Sequence, residues 1–310
     1  MNDRTDWFAE AKYGLFIHYL YDMQNDASWK TSYGKSTSWD EAVLEFDAGR
    51  FARDAAQTGA KYVIFTMMQV LKYMIAPNET YERYTGYQPG ESTSSRDLVE
   101  DLYTELHKYG IELMLYWTGD GPRQDEQASV GLGLDKAMSG EEMKINPLFM
   151  QRWTEVAREY GWRYGDRVAG WWVDGCYDWS GYDQESLGLL AEALREGNAN
   201  RIIAFNPGIY SPVIGYSSHE DYTAGEVNHF EDVPSSRWIG GEQWHIASHL
   251  GNHWGGLGTK YPTEDLLEYV RSVNAKSGVV SLDVAVYRDG KIAEEQVEQL
   301  GHLKRMTWGE

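Results

Sequence analysis

Cysteine is almost absent from this chain. Cys176 is the only one in 310 residues, so no intrachain disulfide can form and packing must hold the fold. Long hydrophobic runs are missing too. None approaches the roughly 20 apolar residues that span a bilayer, which excludes a helical membrane span. The opening MNDRTDWFAEAKYG has neither a basic n-region nor an apolar h-region, so a cytoplasmic protein is expected. Basic residues are scarce, 28 Lys and Arg against 48 Asp and Glu, for a formal net charge of −20. That field repels polyanions and argues against nucleic acid and anionic membrane surfaces as partners. No G-x-G-x-x-G follows the first apolar run, which speaks against a dinucleotide site. No G-x-S-x-G elbow is present either, so Ser180 lacks the setting of a hydrolase serine.

What the chain has in quantity is aromatic rings, 13 Trp and 22 Tyr. Flat ring faces pack on the C–H faces of sugars while polar rims bind hydroxyls. The composition therefore admits a carbohydrate site, although most rings must fill the core. With 42% apolar and 25% charged residues the chain reads as an ordinary globule, long enough for one large α/β barrel.

Apolar runs alternate with amphipathic stretches from end to end. Strands are expected near 13–20, 60–68, 110–118, 168–174, 200–206, 222–228, 242–248 and 277–286. The sixth and seventh of these are short, polar-interrupted runs. Helices are expected over 39–58, 95–109, 147–164, 184–196, 263–275 and 292–306. Eight such units predict a single (β/α)8 TIM-like barrel domain over residues 1–310. A long polar stretch, 119–145, follows the third strand and should lie over the mouth of the barrel.

One window carries the chemistry. In Val168-Ala-Gly-Trp-Trp-Val-Asp-Gly175 an apolar strand runs straight into an aspartate and a glycine. A charge there is costly unless a site needs it, and the C-terminal ends of barrel strands are where reacting groups sit. Asp174 is the first candidate catalytic residue. Its bland alternative is a loop cap. Trp172 shares its side of the strand. His245, His249 and His253 recur every four residues, a metal-like spacing on a helix, but Gly251, Gly255 and Gly256 argue against a helix there. No metal and no cofactor are expected.

Five segments in order resemble the catalytic domain of the alpha-L-fucosidases, glycoside hydrolase family 29. KYGLFIHYLY is similar to K-F-G-I-F-I-H-W-G, and FARDAAQTGAKYVIFT to A-K-x-A-G-A-K-Y-V-V-L-T. SSRDLVEDLYTELHKYGIELMLYW is similar to R-D-L-V-x-E-L with its following strand. WWVDG is similar to the W-x-D segment of the nucleophile, and SGVVSLDVAVYRDGKI to G-G-N-L-L-L-N-V-G-P-x-x-D-G-x-I. The likeness spans nearly the whole chain. The C-terminal β-sandwich usual in the family has no expected counterpart in these residues.

The resemblance implies hydrolysis with retention through a glycosyl ester on Asp174. Asp221-Tyr-Thr-Ala-Gly-Glu226 fits the D-F-x-T-x-E-Y segment that holds the acid/base in one branch, which makes Glu226 that residue. Glu242, beside Trp244, is the rival. Retention also requires two carboxyl groups about 5–5.5 Å apart, one of them neutral at the start. His18, Tyr116, Trp117, Trp172, Asn206 and Glu242 are the remaining candidates for the sugar pocket.

The departures concern hydroxyl reading. Where the family has His-His-Asp-Gly after its second strand, this chain has Thr66-Met67-Met68-Gln69. Where the family has Asn-Asp-Arg, it has Asn206-Pro207-Gly208, and Ser28-Trp29-Lys30 stands near the family's Glu-Trp-Tyr. Exchanging imidazoles for thioethers removes donors and predicts a softer, more apolar wall. A site that no longer pairs those hydroxyls should prefer a sugar other than L-fucose. The expectation is thus a retaining exo-glycosidase acting on a small carbohydrate or oligosaccharide, with self-association left open. A transglycosylase or lyase-like sugar enzyme, and a non-catalytic carbohydrate-binding barrel, are the alternatives.

Overall fold

Parallel pairing organises the molecule. The computed structural model describes residues 3–136 and 144–309. Its strands are β1 (Tyr13–Ile17), β2 (Tyr62–Thr66), β3 (Glu112–Thr118), β4 (Gly170–Asp174) and β5 (Ile202–Phe205). A small antiparallel pair, β6 (Trp238–Ile239) and β7 (Glu242–Gln243), precedes β8 (His245–His249) and β9 (Val279–Val284). Seven strands form one curled sheet in the order β5-β4-β3-β2-β1-β9-β8, every neighbour parallel. With helices between successive strands this is an α/β fold consistent with a TIM-like barrel.

The helices start where the sequence supplies acceptors. Asp47, Asp97, Asn146 and Asp183 each accept a backbone N–H three residues on, opening the helices Ala48–Thr58, Leu98–His107, Pro147–Tyr164 and Gln184–Arg195. Asp47 also explains why the expected helix 39–58 is two helices, Trp39–Leu44 and Ala48–Thr58. Part of the expected mouth loop is helical, Glu126–Gly131, and its residues 137–143 lie outside the described residues. Among the described residues no helix is long and apolar enough to cross a membrane.

Two apolar layers hold the sheet. The outer one, between sheet and helices, contains Trp117, Trp153 and Trp171. The inner one contains Phe8, Phe16, Ile64, Tyr116, Trp172 and Tyr222. Phe8, on the helix Asp6–Ala11, sits with its ring 4.8 Å from Tyr62 and 4.9 Å from Tyr222. It plugs the end where the strands begin, which leaves the C-terminal ends for a site.

The expected sixth strand is only two isolated bridges, Tyr222 with Gln243 and Glu226 with Ala247. Gly225, at φ 61° and pressed against the His245 carbonyl, breaks the extended run between them. The segment 221–227 nevertheless reaches both neighbours. Asp221 N donates to Ile203 O on β5 at 2.7 Å, and Val227 N donates to Ala247 O on β8 at 3.0 Å. The expected strand 242–248 is likewise split, because Trp244 N turns aside to Arg237 O.

Candidate active site

At the C-terminal ends of the strands lies a cavity of about 190 Å³. Phe16, His18, Leu20, Met23, Gln69, Tyr116, Trp172, Asp174, Glu226 and Trp254 line it. Asp174 is the last residue of β4. Trp172 and Tyr116 face each other in register on β4 and β3, their rings 5.3 Å apart and stacked. Phe16 meets Trp172 edge-on at 5.1 Å, so three rings make the floor. The Trp172 indole N–H is already bonded to Ala224 O, which fixes the plane of that ring.

Asp174 is held from three sides. Oδ2 accepts from the Tyr116 hydroxyl at 2.6 Å. Oδ1 accepts from Asn206 Nδ2 at 2.8 Å and from the Tyr177 hydroxyl at 3.1 Å. Three donors on one carboxylate lock its rotamer. Asn206 arrives opposite Asp174 because its backbone N–H donates to Val173 O, extending the ladder between β5 and β4 by one residue.

The same Asn206 nitrogen donates to Glu226 Oε2 at 2.6 Å. One amide thus ties both carboxyl groups together and keeps those two oxygens within about 5.4 Å, the two bonds laid end to end. Burial pushes the Glu226 carboxyl up to about 7, and the neighbouring Asp174 charge adds to the shift. Asn206 and His18 oppose it. The two carboxyl groups are chemically unlike, one supplied with donors and one driven toward its neutral form.

His18 follows β1 and is buried at the cavity. Its Nδ1 lies 2.7 Å from Asp283 Oδ2 on β9, which directs the other ring nitrogen away from that carboxylate. Gln69 donates through Nε2 to the Tyr116 hydroxyl at 2.8 Å. Because that hydroxyl spends its one proton on Asp174, it must accept here, and the amide orientation follows.

Two sequence candidates are not brought to the cavity. Trp117 is one residue from Tyr116 and therefore on the opposite side of β3, fully buried and stacked on Trp153 at 4.5 Å. Glu242 is on β7, five residues before Ala247, which pairs with Glu226. Its carboxylate lies beside Gly240 and Gly215, away from the residues that line the cavity. The soft thioether wall is also corrected. Met67 and Met68 are buried in the outer apolar layer, and Gln69 is the residue of that segment which reaches the cavity. A thioether does line it, but from Met23.

The three histidines do not share a helix face. His245 is a satisfied core residue, bonded to Thr223 O and Ser281 Oγ, and burial lowers it to about 4. Among the described residues no group of three His, Cys, Asp or Glu is placed to hold a metal. Ser180 is buried with its hydroxyl on Tyr177 O. Sequence reasoning passed over Tyr177, Asp283, Trp254 and Gln69. Tyr177 carried a readable signal, three residues past the candidate nucleophile in the loop that leaves it. Asp283 did as well, a lone acid in the apolar run VVSLDV.

Comparisons with known proteins speak to the family and the fold. The alpha-L-fucosidase family model matches residues 1–307. No curated protein matches the chain by sequence. Alpha-L-fucosidase isoenzyme 1 from Paenibacillus thiaminolyticus is similar in structure, with a TM-score of 0.71 at 18% identity over 99% of this chain and 76% of that one. An alpha-L-fucosidase from Bacteroides thetaiotaomicron, trapped as a covalent intermediate with 2-fluoro-fucosyl fluoride, gives 0.66 at 17% identity over 100% and 76%. The endo-fucoidan hydrolase P5AFcnA of glycoside hydrolase family 107 gives 0.72 at 14% identity over 99% and 94%. At such identities these structures speak to the fold alone. The match along residues 1–307 goes further: the chain belongs to the alpha-L-fucosidase family and is a glycoside hydrolase.

Proposed function

We propose that this chain is a retaining exo-glycosidase in which Asp174 is the nucleophile and Glu226 the acid/base. An Asp174 oxygen attacks the anomeric carbon while Glu226 gives its proton to the departing glycosidic oxygen. The bond to the leaving group breaks and a glycosyl ester on Asp174 forms. Glu226, now ionised, takes a proton from water, whose oxygen attacks the same carbon and frees Asp174. The observation that carries this reading is the Asn206 amide shared by both carboxyl groups. It sets a span that suits a direct nucleophile and is short of the 6.5–9.5 Å that an inverting enzyme needs for an intervening water. The raised Glu226 carboxyl supports the division of roles.

The architecture that suits this reading is one closed (β/α)8 domain, with 221–227 as the stave between β5 and β8. The bonds of that segment to Ile203 and Ala247 support closure. The cavity is small and floored by rings, which suits one terminal sugar. Gln69 and Met23 stand at its wall with no imidazole from the segment after β2. That supports a small carbohydrate substrate whose glycone is not L-fucose.

A panel of aryl glycosides and 2-deoxy-2-fluoroglycosyl fluorides tests the reading. The expected result is a mass adduct on the peptide holding Asp174, first-formed product of retained configuration by NMR, and weak release of L-fucose. Inverted product, or an adduct on another carboxyl group, would overturn the roles. Efficient hydrolysis of an aryl α-L-fucoside would overturn the glycone.

A further inference from the structure

Beside the cavity lies a groove of about 490 Å³ that the chemistry above does not use. Tyr21, Tyr73, Tyr87 and Lys72 line it, with Thr37 and Glu91 at its rim. Tyr21 and Tyr73 stack face to face at 4.0 Å and 8°, making a rigid aromatic wall. Lys72 Nζ lies 4.0 Å over the Tyr87 ring, whose hydroxyl is pinned to Asp125 Oδ1 at 2.9 Å. These residues are partly exposed, so ring edges, hydroxyls and an ammonium are all presented together.

The groove and the cavity are built from the same two strips of chain. Leu20 lines the cavity and Tyr21 the groove. Gln69 lines the cavity, and Lys72 and Tyr73 line the groove. Between Gln69 and Lys72 the backbone makes a tight turn. Leu71 N donates back to Gln69 O around Val70, whose φ is 44°. A β-branched residue at positive φ is a genuine outlier, held only when its surroundings over-determine it. Here Gln124 N holds the Val70 carbonyl at 2.9 Å. The turn sends Gln69 one way and the Lys72–Tyr73 pair the other.

We propose that this groove is a second carbohydrate subsite, which takes the sugar of the leaving group next to the scissile bond. Aromatic walls with a polar rim suit a pyranose ring. The two shared strips of chain, Leu20–Tyr21 and Gln69–Tyr73, place that ring beside the one being cleaved. Glu91 lines the groove with Lys72, and the charges of Asp125 and Asp22 act on Tyr73 in its wall, so the groove carries no net positive charge and a neutral sugar fits it better than a sulfated or uronic one.

The inference rests on the proposed glycosidase reading for which bond is cut, so its test has two arms. The first compares kcat/KM for an aryl glycoside with that for a disaccharide bearing the same terminal sugar. Tyr73→Ala should lower the disaccharide-to-aryl ratio about tenfold, Tyr73→Phe by no more than about twofold, and Lys72→Ala in the same direction as Tyr73→Ala. An unchanged ratio in both Tyr73→Ala and Lys72→Ala overturns the subsite. The second arm measures binding of the Asp174→Asn protein to an array of neutral oligosaccharides, with and without Tyr73→Ala. Tyr73-dependent binding without turnover of any glycoside would uphold the groove and remove the glycosidase reading. Turnover of aryl glycosides with no gain from a second sugar, and no array binding, would do the reverse. Preference for sulfated glycans on the same array would overturn the assignment to neutral sugars.

Discussion

Tyr116 donates its hydroxyl proton to Asp174 across 2.6 Å, from the strand next to the one that ends in the carboxylate. Burial, and then the charge of Asp174, hold that phenol well above its ordinary range, so it remains a donor at every working pH. A hydrogen bond to a carboxylate counts most when the carboxylate is a leaving group. Under the proposed double displacement, Tyr116→Phe should therefore slow breakdown of the glycosyl ester more than its formation. We expect kcat and KM to fall together, kcat on the order of tenfold. Accumulation of the adduct in quenched-flow mass spectra checks this, and a rise in KM with unchanged kcat would refute it.

In the proposed acid/base role Glu226 begins protonated, and burial beside Asp174 raises it to about 7. Activity should fall as pH rises past about 7. Asn206 favours the ionised form, so its loss has a defined sign. In Asn206→Ala the alkaline limb of kcat/KM should move to higher pH while the maximum drops on the order of a hundredfold. A limb that stays put or moves down would show that another group sets it.

Much of this site is legible in the residues because strand ends are legible. β1 to β4 and β9 fall where apolar runs were expected, and Asp174, His18 and Asn206 sit at or just past their ends. The errors have local causes. Tyr116 and Trp117 are adjacent, and the two-residue period of a strand allows only one of them to face the cavity, but sequence alone does not say which. The pairing of Tyr116 with Trp172 across the ladder decides it. Met67 and Met68 lie beyond β2, where periodicity gives no guidance, and the chain turns both into the outer layer. The strand expected over 222–228 is polar and bent at Gly225, so it is reduced to two bridges, although Glu226 depends on its placement.

His18 and Asp283 form a buried pair across β1 and β9, 2.7 Å apart. The carboxylate holds Nδ1 and fixes the ring, so the other ring nitrogen is oriented for a sugar hydroxyl. Asp283→Asn keeps the volume but removes the charge. KM should rise on the order of tenfold with a smaller change in kcat, because the effect is on binding. An equal loss in kcat would mean that His18 acts in the chemical step.

Trp117 tests the assignment of the two layers. Stacked on Trp153 behind the sheet, it touches no part of the cavity. Trp117→Ala should cost about 3–5 kcal/mol of stability, as large core truncations do. Assayed well below its melting temperature, the variant should keep the wild-type KM. A change in KM without loss of stability would put the ring back in the sugar site.

Glu220 makes a separate prediction about pH and folding. It is 7% exposed and accepts from Tyr216 N at 2.6 Å, and burial lifts its carboxyl to about 8, with the Glu242 charge adding to the shift. Its unfolded value is about 4.5, so between these limits the folded chain binds the extra proton. The stabilisation it gives is complete below pH 4.5 and is lost as pH rises through about 8, at no more than about 1.4 kcal/mol per pH unit. Glu220→Gln keeps an acceptor for Tyr216 and cannot ionise. Denaturant unfolding at pH 6 and pH 9 should show the wild-type protein losing about 2–3 kcal/mol more than the variant over that interval. Parallel losses in the two proteins would mean that Glu220 is ionised in the fold throughout, and that its bonds to the backbone outweigh its burial.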